Sequence, residues 1–192
     1  MKYLLAFLLL SLSALSATHA QQRVFGPLAF GADEATAQNY LETFCKKQKF
    51  GNLFTAESIM ENFVPLGWKD RLKFASQKRK SRFQLCWQMS EQHTLEWLNV
   101  LSLPFEPSAY ETDLKEAWSL LAEIATTKFG QPSCSTELPK MQAIPDMNHS
   151  PKWRFGGMII FLCLTEPKGS GGPHLYGAQL VATVDYTPEA PL

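Results

Sequence analysis

LAFGADEA at residues 28–35 recurs in outline as LPFEPSA at 103–109 and as VDYTPEA at 184–190. Each copy reads as the end of a strand, with an aromatic residue (Phe30, Phe105, Tyr186) at its last inward position, passing into a turn of small or capping residues. Helical periodicity follows the first two copies. Ala37, Tyr40, Leu41, Phe44 and Cys45 form one apolar stripe in a helix expected over 33–47, with Asp33 as its N-cap. Leu114, Ala117, Trp118, Leu121 and Ala125 form another in a helix expected over 108–129. Ser108 and Glu111 stand at capping-box spacing ahead of it, and Gly130 and Pro132 stop it.

Both helices end on Lys-Phe-Gly, at 49–51 and 128–130, and each is followed by a strand that ends on or near Leu-Cys. Those strands are expected over 82–89 and 153–165, and each turns back into another, over 94–105 and 174–186. Gly156 and Gly157 inside the longer strand read as a bulge or a close contact. The order implies an α+β fold, a tandem-duplicated βαββαββ with an antiparallel-rich sheet and two main helices on one face. The half-repeats would cover 24–105 and 103–190 within one domain, residues 21–192. Met158 to Leu164 is apolar at every position, which calls for burial on both faces and cover opposite the helices, from the long segments or from a partner.

Residues 1–20 have the form of an export signal: Lys2 at the start, an apolar stretch from Leu4 to Leu15 too short to span a bilayer, and Thr18 and Ala20 before a cleavage site. Cleavage near Ala20 would leave a periplasmic or secreted protein of bacterial type. With Lys2 removed, seventeen basic side chains face eighteen acidic ones, and no global charge argues for nucleic acid. No later apolar run suits a transmembrane segment. In an oxidising compartment Cys45, Cys86, Cys134 and Cys163 read as disulfide cysteines. The repeat suggests pairing Cys45 with Cys86 and Cys134 with Cys163, at ~4 kcal/mol of chain-entropy stabilisation each. Against this, alternation in the first strand places Phe83, Leu85, Trp87 and Met89 on one face and turns Cys86 to the other.

Two segments fall outside the repeat. Trp68 opens a basic run in which Lys69, Arg71, Lys73, Lys78, Arg79, Lys80 and Arg82 meet only one acid, Asp70. Such a run in a balanced chain makes the molecule dipolar and suits an acidic protein surface or phosphate-bearing lipid; as plain structure it is a solvated edge. Phe54 and Phe63 beside it are either anchors or core. Residues 131–152 form a long Pro- and Met-containing connection, either an adaptable surface or a crossover.

Catalytic patterning is sparse. There is no G-x-S-x-G, no S-x-x-K and no C-x-x-C. His93, His149 and His174 lack the close pairing of a zinc site, and no cofactor is implied. Glu57 with Glu61, and Glu91 with Glu96, read as solvated acids. The expectation is therefore a non-catalytic, disulfide-stabilised binding domain recognising another protein, as an inhibitor, immunity factor or envelope accessory. The competing expectations are a small secreted hydrolase with an unfamiliar site and a carrier of a small apolar ligand.

Overall fold

A computed structural model describes residues 22–48, 53–65, 81–165 and 175–186. In chain order they form β1 (Arg23–Phe25), β2 (Leu28–Ala29), α1 (Glu34–Lys46), β3 (Leu53–Thr55), α2 (Ala56–Asn62), β4 (Arg82–Met89), β5 (Leu95–Ser102), α3 (Lys115–Phe129), β6 (Lys152–Phe155), β7 (Met158–Thr165) and β8 (Gly177–Val184). The fold is α+β. β1 and β2 make a small hairpin, and the other strands form one antiparallel sheet in the order β3-β4-β5-β8-β7-β6.

Strand alternation divides this sheet into two faces. Leu85, Val100, Leu180 and Leu162 lie in one row across it, and Trp87, Leu98, Ala182, Ile160 and Trp153 in the next. These two rows belong to the main core, as do Ala37 and Leu41 of α1, Ile59 and Met60 of α2, and Trp118, Leu121 and Ala125 of α3. α3 lies over β6, β7 and β8. The apolar residues expected along β7 are buried from both sides: Ile160 and Leu162 toward that core, Ile159 and Cys163 on the opposite face and outside it.

α1 forms where its stripe indicates. The Asp33 side chain accepts from the Thr36 amide at 2.9 Å, satisfying a first-turn donor that would otherwise have no partner. Asp33 bridges Thr94, and Phe44 at the other end stacks on Phe54 of β3 with ring centroids 5.2 Å apart. The helix thus reaches from the β4–β5 turn to β3.

Three local expectations are corrected. The capping box at Ser108 does not form, because Pro107 starts a 3-10 turn over Pro107–Ala109 and puts Ser108 inside it. One wide π turn, Tyr110–Leu114, then leads into α3. Gly156 and Gly157 mark no bulge. With φ of +57° and +77° they make the two-residue turn of a hairpin in which Phe155 faces Met158, so the expected strand over 153–165 is two strands. The strand after His93 stops at Ser102, and Phe105 returns only as an isolated bridge to Tyr176.

The sheet order is symmetric about the β5–β8 pair. Two hairpins, β4–β5 and β7–β8, meet there and are flanked by β3 and β6. Ahead of α1, Asp33 bridges the residue before β5; ahead of α3, Phe105 bridges the residue before β8.

Candidate functional site

Of the basic run, Trp68, Lys69, Arg71, Lys73, Lys78, Arg79 and Lys80 lie outside the described residues. Arg82 opens β4 opposite Thr55. It is half-buried, donates from Nη1 to the Ser81 carbonyl at 3.3 Å, and lines a cleft of about 240 Å³ with Leu103, Phe105, Asp113 and Glu116. Arg82, the last residue of the basic run, therefore stands beside two carboxylates of the same chain. Phe54 and Phe63 are 3% and 0% exposed, which makes them core residues and not anchors for a partner.

The four cysteines are free thiols, and the expected bridges are not formed. Their surroundings give the reason. Cys45 packs against the core from α1, whereas Cys86 lies in the row of Asn99 and Val181 on the opposite face of the sheet. Cys134 is exposed, with its Sγ 3.7 Å from the His149 carbonyl, while Cys163 is buried within β7 opposite Gln179. Burial pushes the Cys45 thiol up, with neighbouring Cys86 acting in the same direction, and burial alone raises Cys86. Cys163 is pushed up to about 12 by burial, partly opposed by a hydrogen bond with Gln179. Since the thiolate is the nucleophile, alkylation of the reduced protein is expected to reach Cys134 first and Cys163 only on unfolding. Mass spectrometry of timed samples checks this order; equal rates at Cys134 and Cys163 would contradict it.

The other candidate groups do not converge. His93 Nδ1 pairs with Glu34 at 2.6 Å and His149 Nδ1 with Asp146 at 2.8 Å, both at exposed sites. Asp146 is held below the usual carboxylate range by hydrogen bonds from His149 and Asn148. His174 lies outside the described residues. Among the described residues no three His, Cys, Asp or Glu side chains are close enough together to share a metal ion, and no helix is long and apolar enough to cross a membrane.

The long connection from α3 to β6 is a packed crossover. Buried ring donors hold its backbone: Tyr110 Oη to the Pro139 carbonyl at 2.8 Å, Trp118 Nε1 to Thr136 at 2.7 Å and Trp153 Nε1 to Gly130 at 3.0 Å. Leu138, Met141 and Ile144 pack on the core below it. Met147, in a short turn capped by Asp146, is 46% exposed.

The feature that sequence reasoning missed is on the sheet face turned away from the main core. Here Cys86 stands opposite Asn99, and Cys163 opposite Gln179. Asn99 Nδ2 donates to Gln179 Oε1 at 2.7 Å across the β5–β8 pair. This polar line crosses a face that carries Trp97, Leu101, Val181, Ile159 and Phe161 in register with Gln84, Gln88, Thr183, Lys152 and Arg154. Trp97, Asn99, Val181, Thr183 and Gln179 line a cleft of about 370 Å³ there, together with Met147. The available signal was one amide between Trp97 and Leu101 on one side of an apolar strand. The chain matches no family model, no curated protein and no solved structure.

Proposed function

We propose that this chain is an exported, non-catalytic binding domain that recognises another protein, acting as an inhibitor, immunity factor or envelope accessory. The observation that carries the proposal is the second face of the sheet, where the half-buried Trp97 and Phe161 lie on the side of the exposed Met147. Exposed or half-exposed aromatic and methionine side chains are the usual anchors of protein contacts. The signal-like residues 1–20 support export to the periplasm or beyond. The basic run from Lys69 to Arg82 supports an acidic partner, by steering and complementarity. Tandem duplication of a half-domain is part of the same proposal; the symmetric strand order and the matching bridges ahead of α1 and α3 support it.

The test is affinity capture from envelope extract, with the protein and with a variant carrying Lys78→Glu, Arg79→Glu and Lys80→Glu. Reversing three charges is expected to lose the partner, and raised salt to weaken capture by the unaltered protein. Equal recovery by both proteins would remove the basic run from the interface.

A further inference from the structure

The fold treats the methionines among the described residues unequally. Met60 and Met158 are each 2% exposed within the main core, and Met89 and Met141 are half-buried and pack against it. Met147 is 46% exposed. An oxidant in solution must reach the thioether to convert it to the sulfoxide, so the packing that holds the domain together shields the other four and leaves Met147 open.

Met147 is also held in place. Asp146 Oδ1 accepts from the amides of Asn148 at 2.9 Å and His149 at 3.1 Å, and Ser150 Oγ donates to the Asp146 carbonyl at 3.0 Å. The chain then fastens to β7, where the Leu162 amide donates to the Pro151 carbonyl at 2.9 Å. This capped turn keeps Met147 on the wall of the cleft that also carries Trp97 and Val181. Oxidation there replaces an adaptable apolar group by a polar, chiral one. A partner pressed on that wall would strip the new oxygen of its water, which opposes binding. The fold itself is spared, because Met147 stands outside the core.

We propose that Met147 is a redox modification site: its oxidation to the sulfoxide by hydrogen peroxide switches off the protein contact at the second face of the sheet, and reduction restores it. This rests on the reading of that face as a protein-binding surface. The Met147 sulfur attacks one oxygen of the peroxide, an S–O bond forms as the O–O bond breaks, and the sulfur gives up two electrons. The other oxygen takes both protons and leaves as water. Enzymatic reduction of both sulfoxide epimers reverses the change, with a thiol as electron donor.

The experiment uses the full chain with its cysteines alkylated beforehand, exposed to hydrogen peroxide and sampled over time. Peptide mass spectrometry is expected to show oxygen added at Met147 well before Met60, Met89, Met141 or Met158. Affinity capture from envelope extract then compares untreated protein, oxidised protein and oxidised protein repaired with methionine sulfoxide reductases of both epimer specificities. The oxidised form is expected to retain about tenfold less of whatever protein the untreated form retains, and the repaired form to recover it. Met147→Leu is expected to keep its capture after peroxide, and Met147→Gln, a polar substitute, to capture poorly without it. Oxidation of Met60 or Met158 as fast as Met147, equal capture by the untreated and oxidised forms, or an equal loss in peroxide-treated Met147→Leu would overturn the switch while leaving the binding surface standing. Capture of nothing by the untreated protein would overturn the binding surface and the switch with it, whatever the order of oxidation.

Discussion

Trp118→Ala is expected to destabilise the protein by about 3–5 kcal/mol, a large part of the 5–15 kcal/mol that typically holds a domain folded. The indole is 1% exposed, so its loss leaves a cavity under α3 that packed neighbours fill only in part. The same substitution also removes the donor to the Thr136 carbonyl, one of the ring contacts that hold the crossover down. Two measurements separate these effects. Urea unfolding should show the full loss, with a melting temperature lower by roughly 10 °C or more. Trp118→Phe, which keeps most of the volume but not the N–H, should cost about 1–2 kcal/mol and expose residues 131–146 to proteolysis before the rest of the chain. An alanine variant that melts with the parent protein would mean that the crossover and α3 are not joined as described.

Lys128→Met is the second substitution expected to act strongly. Lys128 in the last turn of α3 is 6% exposed, and its ammonium donates to the carbonyls of Phe63 at 2.7 Å and Val64 at 3.1 Å. These carbonyls follow the end of α2, where the helix dipole favours a cation. Val64 is β-branched yet has φ of +45°, a conformation that L-residues of its type avoid; its amide is held by the Val24 carbonyl at 2.7 Å. Methionine fits the volume but leaves both carbonyls in apolar surroundings, at a cost of about 2–3 kcal/mol. Lys46→Met is the natural control. Lys46 makes an exposed i,i+4 pair with Glu42 at 3.4 Å, and its loss should change stability by about 0.5 kcal/mol or less. Denaturant titration of the two variants checks the contrast, and a Lys128 variant as stable as the Lys46 variant would refute it.

Features governed by neighbours in sequence were legible. Ala37, Leu41 and the Asp33 cap placed α1 to within a residue at each end, and alternation from Phe83 to Met89 gave β4 its observed bounds. The same alternation already turned Cys86 from the core, which conflicted with its bridge to Cys45. Features that depend on competition between adjacent signals were less legible. At the start of the second helix Pro107 prevailed over the Ser108 capping box, and a glycine pair amid β-prone residues suits a kink as well as a turn until the cross-strand register of Phe155 and Met158 is known. The Asn99 cleft was beyond reach for a different reason. Its meaning depends on Gln179, eighty positions away, and on Met147 arriving from the crossover, and neither relation leaves a local pattern.

The central place of β8 has a consequence for synthesis. Among the described strands it is last in chain order, yet it is the one that joins β5 to β7. A chain that folds from its N-terminus as it emerges can form β3-β4-β5 and β6-β7 as two separate ribbons, each with a bare hydrogen-bonding margin, and cannot zip them together until residues 177–184 have followed. Until that moment both margins are templates for intermolecular pairing, so the interval before the closing strand arrives is when this polypeptide is most in need of a chaperone.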